Sequence, residues 1–112
     1  MSTNCGHCVN EVSDLKRVQD QLSSSIFVVA VATSWGGDTA RDLESYQSRL
    51  NAKWTHAMDY SGLTDTFGVD ATPTIVILDQ QGRVIWAPVG ETTSVDLILT
   101  LSSLLGIPPM LK

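Results

Sequence analysis

Two cysteines near the start of the chain are the residues whose type and spacing could do chemistry. Cys5 and Cys8 are the only cysteines among the 112 residues, and Gly6 and His7 lie between them. This spacing lets both sulfur atoms meet across one helical turn. Such a pair can alternate between a dithiol and a disulfide by thiol–disulfide exchange. The pair therefore indicates a redox site.

The residues that follow the pair predict a helix over residues 5–23. Apolar side chains recur at helical spacing, namely Val9, Val12, Leu15, Val18 and Leu22. Cys5 then lies in the first turn, where unpaired backbone N–H groups and the helix dipole favour an anion such as a thiolate. We expect Cys5 to be the nucleophile and Cys8 the thiol that resolves a mixed disulfide. His7 either adds a positive charge that favours the thiolate or is a solvated residue with no electronic role.

Two other interpretations of the pair stay open. An inert structural disulfide is one, although closing so short a loop removes little entropy from the unfolded chain. Half of a metal site is the other. A closed zinc site needs four ligands, and His7 and His56 are the only histidines that could join the cysteines. Cu(I), which favours thiolates, is the more plausible metal. We interpret His56 as structural.

Composition bounds the class of protein. A chain of 112 residues that is 43% hydrophobic fits one soluble globular domain. A net charge of −5 gives a nucleic-acid partner no electrostatic support. No apolar run reaches membrane-spanning length, and no signal peptide is visible in a chain that opens four residues before Cys5. Two cysteines in a redox pair do not decide the compartment.

The middle of the chain reads as alternating strands and helices. Residues 26–32 (IFVVAVA) form a continuous apolar run, which suits a strand buried on both faces of a parallel sheet. A helix capped by Asp38 or Thr39 is expected to run to about residue 51. A short strand over residues 54–58 and a short helix over residues 61–67 should follow.

The last part of the chain reads as a β-hairpin followed by a helix. A strand over residues 75–78 begins after Pro73, turns at residues 79–82 and returns over residues 83–89. Thr93 with Asp96 has the pattern of a capping box for a final helix that Gly106 ends. We expect one domain over residues 1–106 and a tail over residues 107–112.

These features together resemble the thioredoxin superfamily. The similarity consists of Cys-Gly-His-Cys opening a helix, the later Thr72-Pro73, the hairpin and the final helix. The helix–strand unit over residues 38–58, Glu11 three residues after Cys8, and the second signature over residues 68–82 resemble the TlpA/ResA-like thiol-disulfide oxidoreductases. The Gly-His dipeptide is shared with protein disulfide isomerases. The resemblance covers residues 3–106 and implies a thioredoxin-like α/β fold, a three-layer α/β/α sandwich with a mixed sheet.

Three departures from that family stand out. Asn4 replaces the large residue that usually precedes the first cysteine, and Val12 and Ser13 stand where a proline often follows the acidic residue. The fold also needs a central strand immediately before the motif, which residues 1–4 are too few to supply. We therefore expect an N-terminally truncated sheet with a gap, which a partner or a second copy would fill by strand addition.

The resemblance also implies roles for individual residues. Glu11 would take the proton from Cys8 as a general base, or else be an exposed helix carboxylate without a chemical role. Pro73 would follow a cis peptide bond that bares the backbone of Thr72 for a substrate peptide. Gly90 and Trp35 would lie at the same edge, with Trp35 as a substrate platform or a partly buried loop residue. No metal and no cofactor beyond the Cys5–Cys8 disulfide is expected.

The implied function is that of a protein disulfide oxidoreductase. Its partners would be disulfide or dithiol proteins and an upstream redox partner, in an extracytoplasmic location, periplasmic or membrane-anchored in the full-length protein. A peroxiredoxin-like thiol peroxidase is a second hypothesis, because Ser2 precedes Cys5 with the spacing of a Thr-x-x-Cys motif, although no activating arginine can be placed. A Cu(I) metallochaperone that binds the metal with the pair is a third.

Overall fold

The computed structural model describes residues 1–109, and its elements follow the predicted alternation of helices and strands. In chain order they are α1 (Gly6–Leu22), β1 (Val29–Ala32), α2 (Ala40–Leu50), β2 (Thr55–Met58), α3 (Leu63–Thr66), β3 (Ile77–Leu78), β4 (Val84–Trp86) and α4 (Ser94–Leu105). No helix in this described part of the chain is long and apolar enough to cross a membrane. The predicted tail continues into residues 110–112, which lie outside the described residues.

Cap residues hold the predicted ends of α2 and α4, although of the capping box predicted at Thr93 and Asp96 only the bond to the Thr93 hydroxyl forms. The Thr39 hydroxyl accepts a hydrogen bond from the Asp42 N–H at 3.1 Å, and the Asp42 side chain bonds back to the Thr39 N–H, which completes a capping box. The Thr93 hydroxyl accepts from the Asp96 N–H at 3.2 Å at the start of α4. Gly106, in the left-handed conformation, ends that helix.

The strands form two separate pairs rather than one continuous mixed sheet. β1 and β2 are parallel, with Val29 opposite Thr55 and Ala32 opposite Met58. β3 and β4 are antiparallel, and an isolated bridge between Thr74 and Val89 extends their pairing. Both kinds of pairing that the mixed sheet implied are therefore present, each confined to its own pair of strands.

The expectation of a strand buried on both faces over residues 26–32 is wrong. β1 covers only four of these residues, and Phe27 and Val29 are 83% and 43% exposed. Successive side chains of a strand point to opposite faces. Val28 and Ala30 pack into a core cluster, so their alternate neighbours Phe27 and Val29 point to the face that is left uncovered.

Met1 continues the sheet on the free edge of β1. Its amino group donates to the Val31 carbonyl oxygen at 2.8 Å, and the Thr33 N–H donates to the Met1 carbonyl oxygen at 3.0 Å. These are the two bonds of a parallel bridge between Met1 and Ala32. Burial lowers the pKa of the Met1 amino group, which the charge of Asp38 opposes. Addition of a strand by a partner or a second copy along this edge stays a prediction.

Helix α1 joins the two strand pairs because it packs into both core clusters. Val18 and Leu22 pack with Ile77 of β3 and with α4 in one cluster. Val12 packs with Tyr46, Ala52 and Trp54 in the other, and Leu15 lies against both. The position of the N-terminal end of α1, and hence of Cys5, therefore depends on the whole core.

His56 packs against Tyr46 and Trp54 of the second cluster, which agrees with the structural interpretation. Its ring stacks on Trp54 with the ring centroids 6.1 Å apart and the planes 15° apart. Burial lowers the pKa of His56, while the hydrogen bond between Nδ1 and the Trp54 carbonyl oxygen at 2.9 Å raises it. The neutral imidazole is thus the form that this packing stabilises.

The segment before Cys5 is held by the loop that follows β1. The Asp38 carboxylate accepts from the Thr3 N–H at 3.1 Å and also from the Thr3 hydroxyl. Gly36, in the same loop, packs closely against this segment. A Cβ added at Gly36 would stand 2.9 Å from Thr33 Oγ1 and 3.2 Å from Ser2 Oγ. Only glycine fits between these two buried side chains.

Replacing Gly36 by alanine is expected to destabilise the protein. The added methyl group overlaps the β-branched, buried Thr33 side chain, which has little freedom to move, so the free energy of unfolding should fall by about 1–3 kcal/mol. Denaturant unfolding of the variant and the parent measures the difference. Gly6→Ala is the matched control, because a Cβ at Gly6 meets nothing within 4 Å. Equal stability of the Gly36→Ala variant and the parent would contradict the packing described here.

Candidate functional site

Cys5 and Cys8 form a disulfide at the N-terminal end of α1. Their Cα atoms are 5.2 Å apart. Cys5 is the N-cap residue of the helix, with extended backbone (φ −99°, ψ 110°), and its Sγ accepts a hydrogen bond from the Cys8 N–H at 3.1 Å. In the reduced protein the same N–H and the helix dipole would stabilise a Cys5 thiolate.

The two sulfur-bearing residues differ in exposure. Cys5 is half-buried, whereas Cys8 is only 3% exposed. An incoming partner can therefore reach Cys5 and not Cys8. This is the asymmetry that a nucleophile and a resolving thiol require.

The side chain of His7 is exposed to solvent, and Glu91 bonds to it. The Nδ1–H of His7 donates to Glu91 Oε1 at 3.1 Å, and Asn10 Nδ2 donates to the same oxygen at 2.7 Å. The Asn10 hydrogen bond and then the His7 contact lower the pKa of Glu91. An ionised carboxylate thus orients the imidazole next to the disulfide. Sequence reasoning missed Glu91 and Asn10, although Glu91 directly follows Gly90, which the resemblance had placed at this edge.

Glu11 is buried, so the interpretation as an exposed helix carboxylate is wrong. The residue is 2% exposed, and its Oε1 accepts from the Thr92 N–H at 2.6 Å. Its Oε2 is buried and has no hydrogen-bond partner among the described residues. Burial raises the pKa of Glu11, the Thr92 N–H opposes this, and the charges of Asp14 and Glu91 raise the pKa further. A carboxyl group with this environment lies one helical turn after Cys8.

The loop after β4 is bound both to α1 and to the loop before β3. The Ser94 N–H donates to Asp14 Oδ1 at 2.9 Å, next to the contact between Thr92 and Glu11. The Gly90 N–H donates to the Pro73 carbonyl oxygen at 2.8 Å, and the Thr72–Pro73 peptide bond is cis, the isomer that the resemblance implies. Pro73 itself is buried and Thr72 is half-buried.

Trp35 reaches the loop before β3 rather than α1. Its side chain is 52% exposed, and its Nε1–H donates to the Val69 carbonyl oxygen at 3.4 Å. Trp35 is thus a loop residue with about half of its surface exposed, and its role as a substrate platform stays a prediction. Bonds between loops thus connect the predicted site residues. His7, between the cysteines, contacts Glu91, and the neighbouring Gly90 bonds to Pro73, which follows Thr72. Trp35 joins them through its bond to Val69 in the loop before β3.

The described residues form no cluster of metal ligands at the cysteine pair. Within residues 1–109, no group of three or more His, Cys, Asp or Glu side chains is placed to hold a metal ion. Both cysteines are in the disulfide, and the described chain holds no free cysteine. The chemistry that the arrangement itself offers is exchange of this disulfide.

Comparisons with known proteins agree with the fold. The thioredoxin-like domain family matches residues 2–103. No curated protein sequence gives a significant match. StoA from Bacillus subtilis has 19% sequence identity over 87% of this chain and 74% of that chain, with a TM-score of 0.75.

Two further solved structures have the same fold. A candidate thiol:disulfide interchange protein DsbE from Chlorobium tepidum has 24% identity over 94% of this chain and 75% of that chain, with a TM-score of 0.81. A thiol-disulfide isomerase from Corynebacterium glutamicum has 21% identity over 96% of this chain and 78% of that chain, with a TM-score of 0.79. The predicted thioredoxin-like α/β fold is therefore confirmed.

The burial of Glu11 predicts a pH dependence of stability. Because the folded-state pKa of Glu11 is raised, its contribution is fully present below the unfolded pKa of about 4.3 and is lost as the pH rises. The free energy of unfolding of the parent, measured relative to that of Glu11→Gln, should thus fall between pH 4 and pH 8. Denaturant unfolding across this range measures it.

Glu91→Gln is the control with the opposite sign. The pKa of Glu91 is lowered, so its contribution is present above the unfolded pKa and is lost as the pH falls. The stability of the parent relative to this variant should rise with pH. A difference between the parent and Glu11→Gln that stays constant from pH 4 to pH 8 would be incompatible with a raised pKa of Glu11.

The reduced protein should be alkylated at Cys5 alone near neutral pH. The helix N-terminus favours the Cys5 thiolate, so Cys5 should react at a pH below about 8.5, the pKa of an ordinary thiol. Burial should protect Cys8 from the reagent. Mass spectrometry of the alkylated peptides across a pH series gives both rates. The protein unfolded in denaturant is the control, in which the two thiols should react alike. Equal alkylation of both in the folded protein at neutral pH would refute the assigned roles.

Proposed function

The chain belongs to the thioredoxin-like domain family, and we propose that it is a thiol-disulfide oxidoreductase that exchanges disulfides with protein substrates through Cys5 and Cys8. One observation carries this proposal. A disulfide joins a half-buried Cys5, which caps a helix N-terminus, to a buried Cys8. An inert cross-link of so short a loop would stabilise the fold little, whereas an exchange site needs this difference between its two thiols.

The reaction begins on the reduced protein. The Cys5 thiolate attacks one sulfur atom of a substrate disulfide, forms a mixed disulfide and releases the other substrate sulfur as a thiolate. Cys8 then loses its proton and attacks Cys5 Sγ, which re-forms the Cys5–Cys8 disulfide and releases the second substrate thiolate. Two electrons pass from the protein to the substrate. The reverse sequence oxidises a substrate dithiol, and an upstream redox partner restores the starting state.

Glu11 is the proposed acceptor of the Cys8 proton. Its carboxylate is buried one helical turn from Cys8, and its Oε2 has no other partner among the described residues. The Thr92 N–H holds the other oxygen and so orients the group. A carboxylate with a raised pKa accepts a proton from a thiol more readily than an ordinary carboxylate does, because its pKa lies closer to that of the thiol.

The proposed substrate site is the surface formed by the loops around Cys5. Thr72 is half-buried, and its backbone N–H and carbonyl oxygen make no hydrogen bond within residues 1–109. They are free to pair with an extended substrate peptide beside Pro73 and Gly90. The exposed ring of Trp35 offers apolar contact area. We also propose an extracytoplasmic location, disulfide or dithiol proteins as substrates, and an upstream redox partner.

Changing Cys8 to alanine should trap substrates on Cys5. Cys5 keeps its helix terminus and His7 and still attacks a disulfide, but no other cysteine in the chain can resolve the adduct. Non-reducing gels of the reduced variant mixed with a disulfide-bonded protein should show a covalent adduct that a small thiol removes.

Cys5→Ala is the matched control, because the buried Cys8 should form no adduct. Adducts on the Cys5→Ala variant and none on the Cys8→Ala variant would reverse the assigned roles.

The same variants separate the rival functions. A peroxidase would give a sulfenic acid on Cys5 when peroxide is added, and a metallochaperone would bind Cu(I) and give no adduct.

A further inference from the structure

We propose that the edge of the protein around Cys5 is an acidic docking surface that selects partners with Lys or Arg beside their reacting disulfide. The inference rests on the thiol-disulfide exchange proposed above and names the substrate class of that site. The surface, called the acidic edge below, consists of the loops that meet at the N-terminal end of α1.

Hydrogen bonds across the loops define the acidic edge. β1 and β2 end together, since Ala32 is opposite Met58, and Met1 pairs alongside Ala32. The loop after β1 joins α3 through the Ser34 N–H, which donates to Thr64 Oγ1 at 3.1 Å. The bonds described above link the loops before β3 and after β4 to each other and to α1. The first turns of α2 and α4 follow directly from these loops.

Almost all charge on the acidic edge is negative. These loops and first turns hold seven acidic residues, which are Asp38, Asp42, Asp59, Asp65, Asp70, Glu91 and Asp96. Arg41 is the single lysine or arginine among them. The other basic residues of the described chain lie in the second half of α1, around the connection from α2 to β2, and at the hairpin, namely Lys16, Arg17, Arg49, Lys53 and Arg83. Lysine and arginine are thus almost absent from the acidic edge, whereas the rest of the described chain carries residues of both signs, Asp20 and Asp79 among them.

Three of the seven carboxylates accept hydrogen bonds from backbone N–H groups of the protein. Asp38 is buried and bonds to Thr3, and Asp42 accepts from the Thr39 N–H in the capping box of α2. Asp59 accepts from the Gly62, Leu63 and Thr64 N–H groups and from the Thr64 hydroxyl. The Thr64 side chain and these backbone donors lower the pKa of Asp59 to about 2. Asp59 therefore stays ionised and adds to the field, but its oxygens are occupied.

Glu91 and Asp70 are the carboxylates available to a partner beside the disulfide. Glu91 is exposed and contacts His7 through Oε1, while its Oε2 accepts no hydrogen bond within residues 1–109. Asp70 is exposed, without a hydrogen-bond partner among the same residues, and lies between Val69, which bonds to Trp35, and Thr72. The two carboxylates thus stand on the two loops that the bond from the Gly90 N–H to the Pro73 carbonyl oxygen joins, and Glu91 also contacts His7 between the two cysteines.

The negative charge of the acidic edge should change the rate at which partner proteins reach the disulfide. Charges that surround a reactive centre steer oppositely charged partners toward it and repel like-charged ones, with effects of about 10 to 1,000-fold on association rates. Salt screens the effect, since the Debye length falls from about 30 Å at 0.01 M to about 3 Å at 1 M ionic strength. A cation beside the partner's disulfide can then also bond to the free oxygen of Glu91.

Two synthetic peptides test the proposal on the full chain. Each has one internal disulfide, and they differ only in flanking Lys or Glu residues. The reduced protein is mixed with each peptide at about 10 mM and about 1 M salt, and its oxidation rate is divided by the rate of dithiothreitol with the same peptide. This division removes the effect of the flanking charges on the disulfide itself. The Lys peptide should react about tenfold faster than the Glu peptide at low salt, and the two should converge at high salt.

Charge-neutralising variants locate the effect. Glu91→Gln and Asp70→Asn should each lower the ratio of the two rates severalfold, because they remove the available carboxylates. Asp20→Asn is the matched control, since Asp20 is an exposed acidic residue near the other end of α1 and its loss changes the net charge equally. This control should leave the ratio unchanged.

The outcomes separate the two proposals. Reaction with neither peptide would refute thiol-disulfide exchange and the docking surface with it. Equal rates with both peptides at low salt would overturn the docking surface alone. An equal loss of preference in all three variants would do the same, because it would assign the effect to net charge and not to the acidic edge. A preference that only Glu91→Gln and Asp70→Asn reduce supports the proposal.

Discussion

The first turn of α1 leaves backbone N–H groups without partners inside the helix, and Cys5 Sγ accepts one of them, from Cys8 at 3.1 Å. The chemistry assigned to the pair depends on this contact, because it favours charge on the sulfur that a partner can reach. The contact exists only where α1 begins at residue 6. That beginning is held from both directions, by the bonds of residues 1–3 to the loop after β1 and by the packing of α1 in two core clusters.

The same helix carries the carboxylates that hold the opposite loop. Glu11 and Asp14 accept from the Thr92 and Ser94 N–H groups, and Asn10 and His7 contact Glu91. A buried carboxylate with one unpartnered oxygen costs stability, so a core that served packing alone would place an apolar residue there. The proposed transfer of the Cys8 proton to Glu11 would account for this costly group.

Much of this arrangement could be predicted from local patterns. The spacing of Val9 to Leu22 predicts α1, and the cap residues Thr39, Thr93 and Gly106 predict the ends of α2 and α4. Contacts between distant residues could not be predicted in this way. His7 and Glu91 are 84 residues apart, and the burial of Glu11 depends on the approach of Thr92. The apolar run over residues 26–32 resembles a strand covered on both faces, because sequence alone does not show that one face lacks a covering helix.

The reduction potential of the Cys5–Cys8 disulfide is the most direct test of the central claim, that this pair is a thiol-disulfide exchange site. Equilibration of the folded protein with redox buffers, read by alkylation of the free thiols, gives its value. An exchange site should titrate reversibly between about −270 and about −120 mV, near the lower value for a reductase and above about −180 mV for an oxidase or isomerase. A potential below about −300 mV, the range of inert structural disulfides, would contradict the account.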